Sequence, residues 1–203
     1  MLENFNAIRN RRVARMMGII LIMISLIIQV VEFIWLTNVN GMVYETFVAF
    51  VIELVTNAAL IYCLVRERHE LIEVVLVVLK VFEGTYYPIK SAQRLDTLIH
   101  SDATRFDVFT HILFAVSAFS LLIALVAFCF YKHRNSIKAW NIMKILILLS
   151  TLLMLISTIL YIVETAVNPE QPRQELMEPI SLLFLFLGMY ASCEYVEEET
   201  IYD

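Results

Sequence analysis

The sequence predicts an all-α protein, a polytopic transmembrane helical bundle with six spans. Hydrophobic residues make up 60% of the 203-residue chain and charged residues only 17%, whereas a soluble domain carries about 25% charged residues. The mean hydropathy is +0.76. The apolar residues gather in runs that approach or exceed the roughly 20 residues that a membrane-spanning helix needs. We therefore expect a single integral membrane domain over residues 1–203, embedded in a lipid bilayer.

Six segments of this kind follow one another along the chain. The predicted spans are 13–37, 42–65, 71–89, 106–131, 139–163 and 179–193. Four arginines between Arg9 and Arg15 lie ahead of the long apolar run that begins at Gly18, as basic residues precede the apolar run of a secretory signal peptide. The apolar run is too long for a signal peptide, and no small-residue cleavage site follows it. The sequence therefore predicts that the first span is retained.

The third segment is unusual because it carries three charged residues, Glu73, Lys80 and Glu83. These positions fall on one narrow stripe at helical spacing, with apolar residues around the rest of the helix. A helix that lies flat at the membrane interface is usually polar over a much wider arc. The pattern therefore favours a span whose charged stripe faces other helices. Five spans plus an interfacial helix is the alternative.

Glu53 in the second span and Lys80 in the third are predicted to form an ion pair near the middle of the bilayer. A lone charge at that depth costs at least about 2.5–3.5 kcal/mol, so it requires a partner or a function. Counted from the basic connection at 66–68, both residues lie roughly 18–20 Å into their helices at the rise of an α-helix. Together with Asn57, one turn after Glu53, they form either a clasp between two spans or part of an ion pathway.

The fourth span carries a face of small residues at three- and four-residue steps: Ser117, Ser120, Ala124 and Ala127. Small residues let helix backbones approach closely in lipid, so we expect this face to pack on another helix. Three cysteines lie near the ends of the even-numbered spans: Cys63, Cys129 and Cys193. Their odd number and wide spacing argue against a disulfide framework. They are either small apolar packing residues or sites of S-acylation.

The basic residues predict the orientation in the membrane, because cytoplasmic span ends are enriched in Lys and Arg. Six spans place most of them on one side, which we interpret as the cytoplasm: Arg9, Arg11, Arg12, Arg15, Arg66, Arg68, Lys132, Arg134 and Lys138. The opposite side holds Lys90, Arg94, Arg105 and Arg173. Both termini are then cytoplasmic. Several predicted spans are longer than the bilayer requires, which favours the thicker plasma membrane.

Acidic residues near the outer ends of the spans are candidates for an outer acidic rim that attracts cations. The members of this rim, with one histidine, are Glu32, Glu45, Glu83, Asp107, His111 and Glu164. A metal site requires three or four converging ligands. The sequence shows no such convergence, so we expect no bound metal.

The predicted function follows from continuous helices and from the lack of catalytic motifs. No nucleophile elbow, zinc-protease motif or phosphate-binding glycine loop occurs, so we expect neither an enzyme nor a cofactor. No basic patch with interleaved aromatic residues indicates nucleic-acid binding. Gly41, Gly84 and the four prolines fall in turns or towards predicted span ends, which leaves Gly18 and Gly188 inside spans, whereas transporters commonly use interrupted helices. We expect a non-catalytic accessory or interaction subunit that packs against other membrane proteins or forms a homo-oligomer. The alternative is a small ion channel or a proton- or cation-coupled transporter that uses the intramembrane acidic residues.

Overall fold

In the computed structural model, the described part of the chain forms six α-helices: α1 (Leu2–Asn40), α2 (Tyr44–Val65), α3 (His69–Ile99), α4 (Arg105–Arg134), α5 (Ile137–Val167) and α6 (Met177–Thr200). The structure describes residues 2–40, 44–100, 105–134, 137–167 and 177–200. No strand occurs in these ranges. The all-α prediction is therefore confirmed.

Five of the helices contain stretches that are long and apolar enough to cross a membrane: Asn10–Val39, Phe47–Val65, Val108–Cys129, Lys138–Val163 and Met177–Val196. α1 illustrates how such a helix distributes its side chains. Its buried positions recur at alternating four- and three-residue steps: Gly18, Ile22, Ser25 and Gln29. Large apolar side chains cover the opposite, exposed face, including Ile20, Met23, Ile27 and Ile34. Polar groups inside and apolar groups outside are the arrangement that a hydrocarbon solvent favours.

α3 is longer than the predicted span, because it continues from residue 89 to Ile99 and contains Pro88 within the helix. A proline gives up one backbone hydrogen bond and bends a helix without necessarily ending it. The exposed side chains of α3 up to Ile89 are apolar except Thr85, whereas several exposed side chains beyond Lys90 are polar, such as Gln93 and Asp96. The apolar part of α3 therefore ends near Lys90, although the helix itself does not.

The helices form two compact units. The first comprises Met1–Leu79 and Phe184–Asp203, and the second comprises Lys80–Leu183. In the first unit α2 lies along α1, and the ring of Phe33 stacks on Phe50 with centroids 4.1 Å apart. In the second unit α4 and α5 form a closely packed hairpin.

Within the first unit, α1 and the C-terminal half of α6 cross at glycines. A Cβ atom added to Gly188 would lie 2.5 Å from Cγ1 of Ile22 and 3.3 Å from the backbone nitrogen of Ile22. A Cβ atom on Gly18 would meet Ser192 Oγ at 3.3 Å and Leu64 Cδ1 at 3.5 Å. Small side chains thus allow the two backbones to approach, as is common between helices in membranes.

The connection between α2 and α3 is a tight Schellman turn. The N–H of Arg68 donates to the carbonyl of Cys63 at 3.0 Å, and Glu67 adopts a left-handed conformation with φ of 55°. The N–H of Ile72 then donates to the carbonyl of Arg68 at 3.0 Å, which begins α3. The Glu67 carboxylate also forms an ion pair with Arg15.

Replacing Glu67 by glycine is expected to give a more stable protein than replacing it by alanine, by about 1 kcal/mol. Both substitutions remove the carboxylate that pairs with Arg15, but only glycine adopts a left-handed conformation without steric cost. Equilibrium unfolding in mixed micelles would measure the difference. Equal stabilities for Glu67→Gly and Glu67→Ala would mean that residue 67 is not left-handed in the folded protein.

Candidate functional sites

A polar contact joins α1 and α2 in the first unit. Asn57 is 0% exposed and its Nδ2 donates a hydrogen bond of 3.1 Å to Oε1 of Gln29, which is itself buried. Both residues lie well inside the apolar stretches of their helices. Amide groups at that depth need a partner, because hydrocarbon offers none. The contact therefore fastens α1 to α2 from inside the apolar layer.

Glu53 lies one turn before Asn57 and is 8% exposed. The side chain of Lys80, its predicted partner, lies outside the part of the chain that the structure describes. The ion pair between Glu53 and Lys80 therefore stays a prediction. Gln29 is the residue that the sequence analysis missed. A single amide side chain within the apolar run of the first span was the feature of the sequence that could have identified it.

The residues of the predicted outer acidic rim have different environments. Glu83 on α3 is 0% exposed, and His111 on α4 is 8% exposed, so both side chains are buried in the second unit. Glu32 on α1 is half-buried. The side chains of three further members lie outside the described residues: Glu45, Asp107 and Glu164. For these three the rim stays a prediction.

The second unit contains a half-open cavity at the point where the apolar surface of α3 ends. Residues of four helices line it: Lys90, Ser91, His111, Phe114, Tyr161, Glu178 and Pro179. Lys90 Nζ lies 2.5 Å from Glu178 Oε1, an ion pair that joins α3 to the start of α6. The ammonium also lies 5.8 Å from the ring centre of Tyr86 and 6.0 Å from that of Tyr87. This is a favourable cation–π distance.

Across the same cavity, Tyr161 and His111 join α5 to α4. The hydroxyl oxygen of Tyr161 lies 3.3 Å from Nε2 and 3.4 Å from Nδ1 of His111. His111 was predicted from the sequence as a site residue, whereas Lys90 and Glu178 were not. Both stand at span ends on the predicted outer side, next to Pro88 and Pro179. This shared position at the outer ends of two spans was the feature of the sequence from which their contact could have been predicted.

A serine clasp, formed by Ser117 on α4 and Ser150 on α5, holds the hairpin of the second unit. Ser117 Oγ donates to the carbonyl of Ser150 at 2.9 Å, and Ser150 Oγ donates to the carbonyl of Ser117 at 3.0 Å. Farther along, Ser157 Oγ donates to the carbonyl of Thr110 at 3.3 Å. Thr110 lies seven residues before Ser117, and its partner Ser157 lies seven residues after Ser150. The two helices are therefore antiparallel and keep the same register between these contacts. The predicted small-residue face of the fourth span is buried, as expected.

Replacing both Ser117 and Ser150 by alanine is expected to destabilise the protein by about 1–2 kcal/mol, because interhelical hydrogen bonds in membranes average about 0.6 kcal/mol each and reach about 1.7 kcal/mol. Ser120→Ala is the matched control, since the Ser120 hydroxyl donates within its own helix, to Val116 at 2.9 Å. Unfolding in mixed micelles measures both. A double variant no less stable than the control would show that the clasp contributes nothing.

The cysteines are free thiols in two environments. Cys63 and Cys193 are buried at 4% and 0% exposure, which fits small apolar packing residues. Cys129 is exposed. Among the three, Cys129 is the thiol that a modifying enzyme could reach, and S-acylation of Cys129 stays a prediction.

Long apolar helices, apolar outward faces and interhelical contacts between buried polar groups define the protein as a helical transmembrane bundle. Comparison with protein families, with curated proteins and with solved structures finds no match to the chain.

Proposed function

We propose that this protein is a non-catalytic membrane component that packs against other membrane proteins or against copies of itself. The observation that carries the proposal is the use of its buried polar groups. Asn57 with Gln29, and Ser117 with Ser150, are at most 5% exposed and form hydrogen bonds between helices. Such groups hold a bundle together. The apolar outward faces are then the surface available to a partner.

Six spans, with both termini in the cytoplasm of a plasma-membrane protein, belong to the same proposal. In the first unit the guanidinium of Arg11 lies 5.1 Å from the ring centre of Tyr195, and Gly18 lies beside Ser192. The start of α1 and the end of α6 are therefore side by side. Two spanning helices can meet in this way only when the number of spans is even. That parity supports α3 as a span, in addition to the five helices of sufficient length and apolarity.

The burial pattern of α3 gives independent support. Its exposed residues up to position 89 are almost all apolar, including Val74, Val78 and Val81, whereas Glu83 is completely buried. A helix lying on a membrane surface would turn its charges towards water instead.

Labelling of an engineered cysteine tests the topology. In a variant without native cysteines, Arg94→Cys should react with a membrane-impermeant thiol reagent added outside intact cells, because six spans place residue 94 outside. Arg68→Cys, in the turn that both models place in the cytoplasm, is the control and should react only after the cells are opened. The reverse pattern for residue 94 would favour five spans.

A reconstitution experiment tests the function. Purified protein in liposomes should produce no flux of protons or monovalent cations above that of empty vesicles. Chemical crosslinking in native membranes should instead give a defined complex with one partner or with a second copy. Glu53→Gln should leave this complex intact. Flux that Glu53→Gln abolishes would overturn the proposal.

The second candidate is a small channel or a proton- or cation-coupled transporter. The burial of Glu53 and Glu83 in helices with apolar outer faces favours it, because ionisable residues within membranes often mark ion pathways. In that case Glu53→Gln or Glu83→Gln should reduce flux, whereas Glu67→Gln, at the exposed turn, should not.

A further inference from the structure

The cavity in the second unit has the size of a water site. Its volume is about 20 Å³, and about 10–15 Å³ is enough to hold one water. A metabolite requires several hundred cubic ångströms of pocket. The cavity size therefore fits a water molecule.

Ser91 supplies a hydroxyl group that requires such a molecule. The residue is 3% exposed and lines the cavity. Its Oγ forms no hydrogen bond with any described residue. Other buried serines of the same unit, such as Ser117 and Ser120, donate to backbone carbonyls. A buried hydroxyl without a partner is destabilising, and ordered water commonly satisfies such groups.

Further polar groups line the same cavity. A buried water typically makes two to four hydrogen bonds, and here the Tyr161 hydroxyl, the His111 ring and the Lys90–Glu178 ion pair accompany Ser91. These groups include donors and acceptors from all four helices of the unit. A single water therefore has suitable partners on more than one side.

We infer that this cavity is a binding site for one ordered water, which links the Ser91 hydroxyl to the polar groups of His111, Tyr161 and the Lys90–Glu178 pair. The inference is independent of the proposed function. The water makes the contact between α3, α4, α5 and α6 at this cavity a hydrated one. It exchanges with the outside through the open part of the cavity. This contact contrasts with the serine clasp deeper in the unit, where the hydroxyls bond directly to protein.

X-ray radiolysis tests the site, because it generates hydroxyl radicals from bound water that oxidise neighbouring side chains. In lipid nanodiscs, Phe114 and His111 should be oxidised several times faster than Phe128, which is buried in the same unit but lies outside the cavity. Ser91→Ala should reduce the yield at Phe114 and His111 at least twofold. Ser120→Ala, the matched control, should leave these yields unchanged. Yields that Ser91→Ala does not alter would overturn the inference.

Thermal unfolding gives a second test whose sign is decisive. If a water molecule forms hydrogen bonds with the Ser91 hydroxyl, Ser91→Ala loses those bonds and lowers the Tm by more than Ser120→Ala does. If the cavity is dry, Ser91→Ala removes a buried hydroxyl that has no hydrogen-bond partner and raises the Tm, which overturns the inference.

Replacing lipid by detergent distinguishes a lipid headgroup from water. Unchanged oxidation of Phe114 supports water, whereas a rise on lipid removal would show that a headgroup occupies the site.

Discussion

Gly188→Ala is expected to leave the protein about 1–3 kcal/mol less stable than Gly18→Ala. The new methyl group of Gly188→Ala would lie 2.5 Å from Cγ1 of Ile22, whose side chain is completely buried and whose backbone nitrogen is 3.3 Å away. Ile22 cannot rotate away freely, so α1 and α6 must separate. At Gly18 the nearest atom is the Ser192 hydroxyl at 3.3 Å, which needs to move by only a few tenths of an ångström.

The two glycine variants control each other. Replacing glycine by alanine gains about 1 kcal/mol of helix propensity in either helix. The difference in free energy of unfolding between the two variants therefore reports the steric effect at the helix crossing. Ile22→Ala removes the conflicting Cγ1 atom, and its own cost should therefore be smaller in the Gly188→Ala background. Equal stabilities of the two glycine variants, or strict additivity with Ile22→Ala, would refute a close crossing at Gly188.

Asn57→Leu is expected to destabilise the protein by about 1–2 kcal/mol, and combination with Gln29→Leu should recover most of that loss. The single change leaves the Gln29 amide buried without the bond that it receives from Asn57. The double change removes both polar groups and leaves apolar side chains in an apolar layer. Unfolding of the single and double variants in mixed micelles measures this coupling.

Thr56→Val is the matched control for this experiment. The Thr56 hydroxyl donates to the carbonyl of Ile52 in its own helix at 2.8 Å, so its loss should cost little. Additive effects of Asn57→Leu and Gln29→Leu would show that the two amides do not depend on each other.

The sequence was most informative where hydropathy alone decides the structure. Runs of apolar residues identified the helices, and small residues at helical spacing identified the buried face around Ser117. Hydropathy finds the lipid boundary and not the end of a helix. Hydropathy therefore predicted that the third span ends at Ile89. The helix itself continues beyond Pro88 through polar residues that form a helix in contact with water.

Contacts between distant parts of the chain were beyond the sequence. Gly18 and Gly188 were the two glycines assigned to span interiors, yet no periodicity in the sequence indicates that they lie at the same helix crossing. Gln29 has one polar partner, Asn57, on another helix, and only packing selects that partner from several polar residues of similar depth. The ion pair of Lys90 with Glu178 likewise joins helices that are far apart in the chain.

The constant register of α4 and α5 has a mechanical consequence. Sliding one helix along the other by a single residue would break the bonds at Ser117, Ser150 and Ser157 together. The α4–α5 hairpin should thus resist sliding and behave as one rigid element. Spin labels on α4 and α5, placed at either end of the hairpin, should then give narrow interhelix distance distributions. These distributions should stay the same under conditions that change the rest of the molecule.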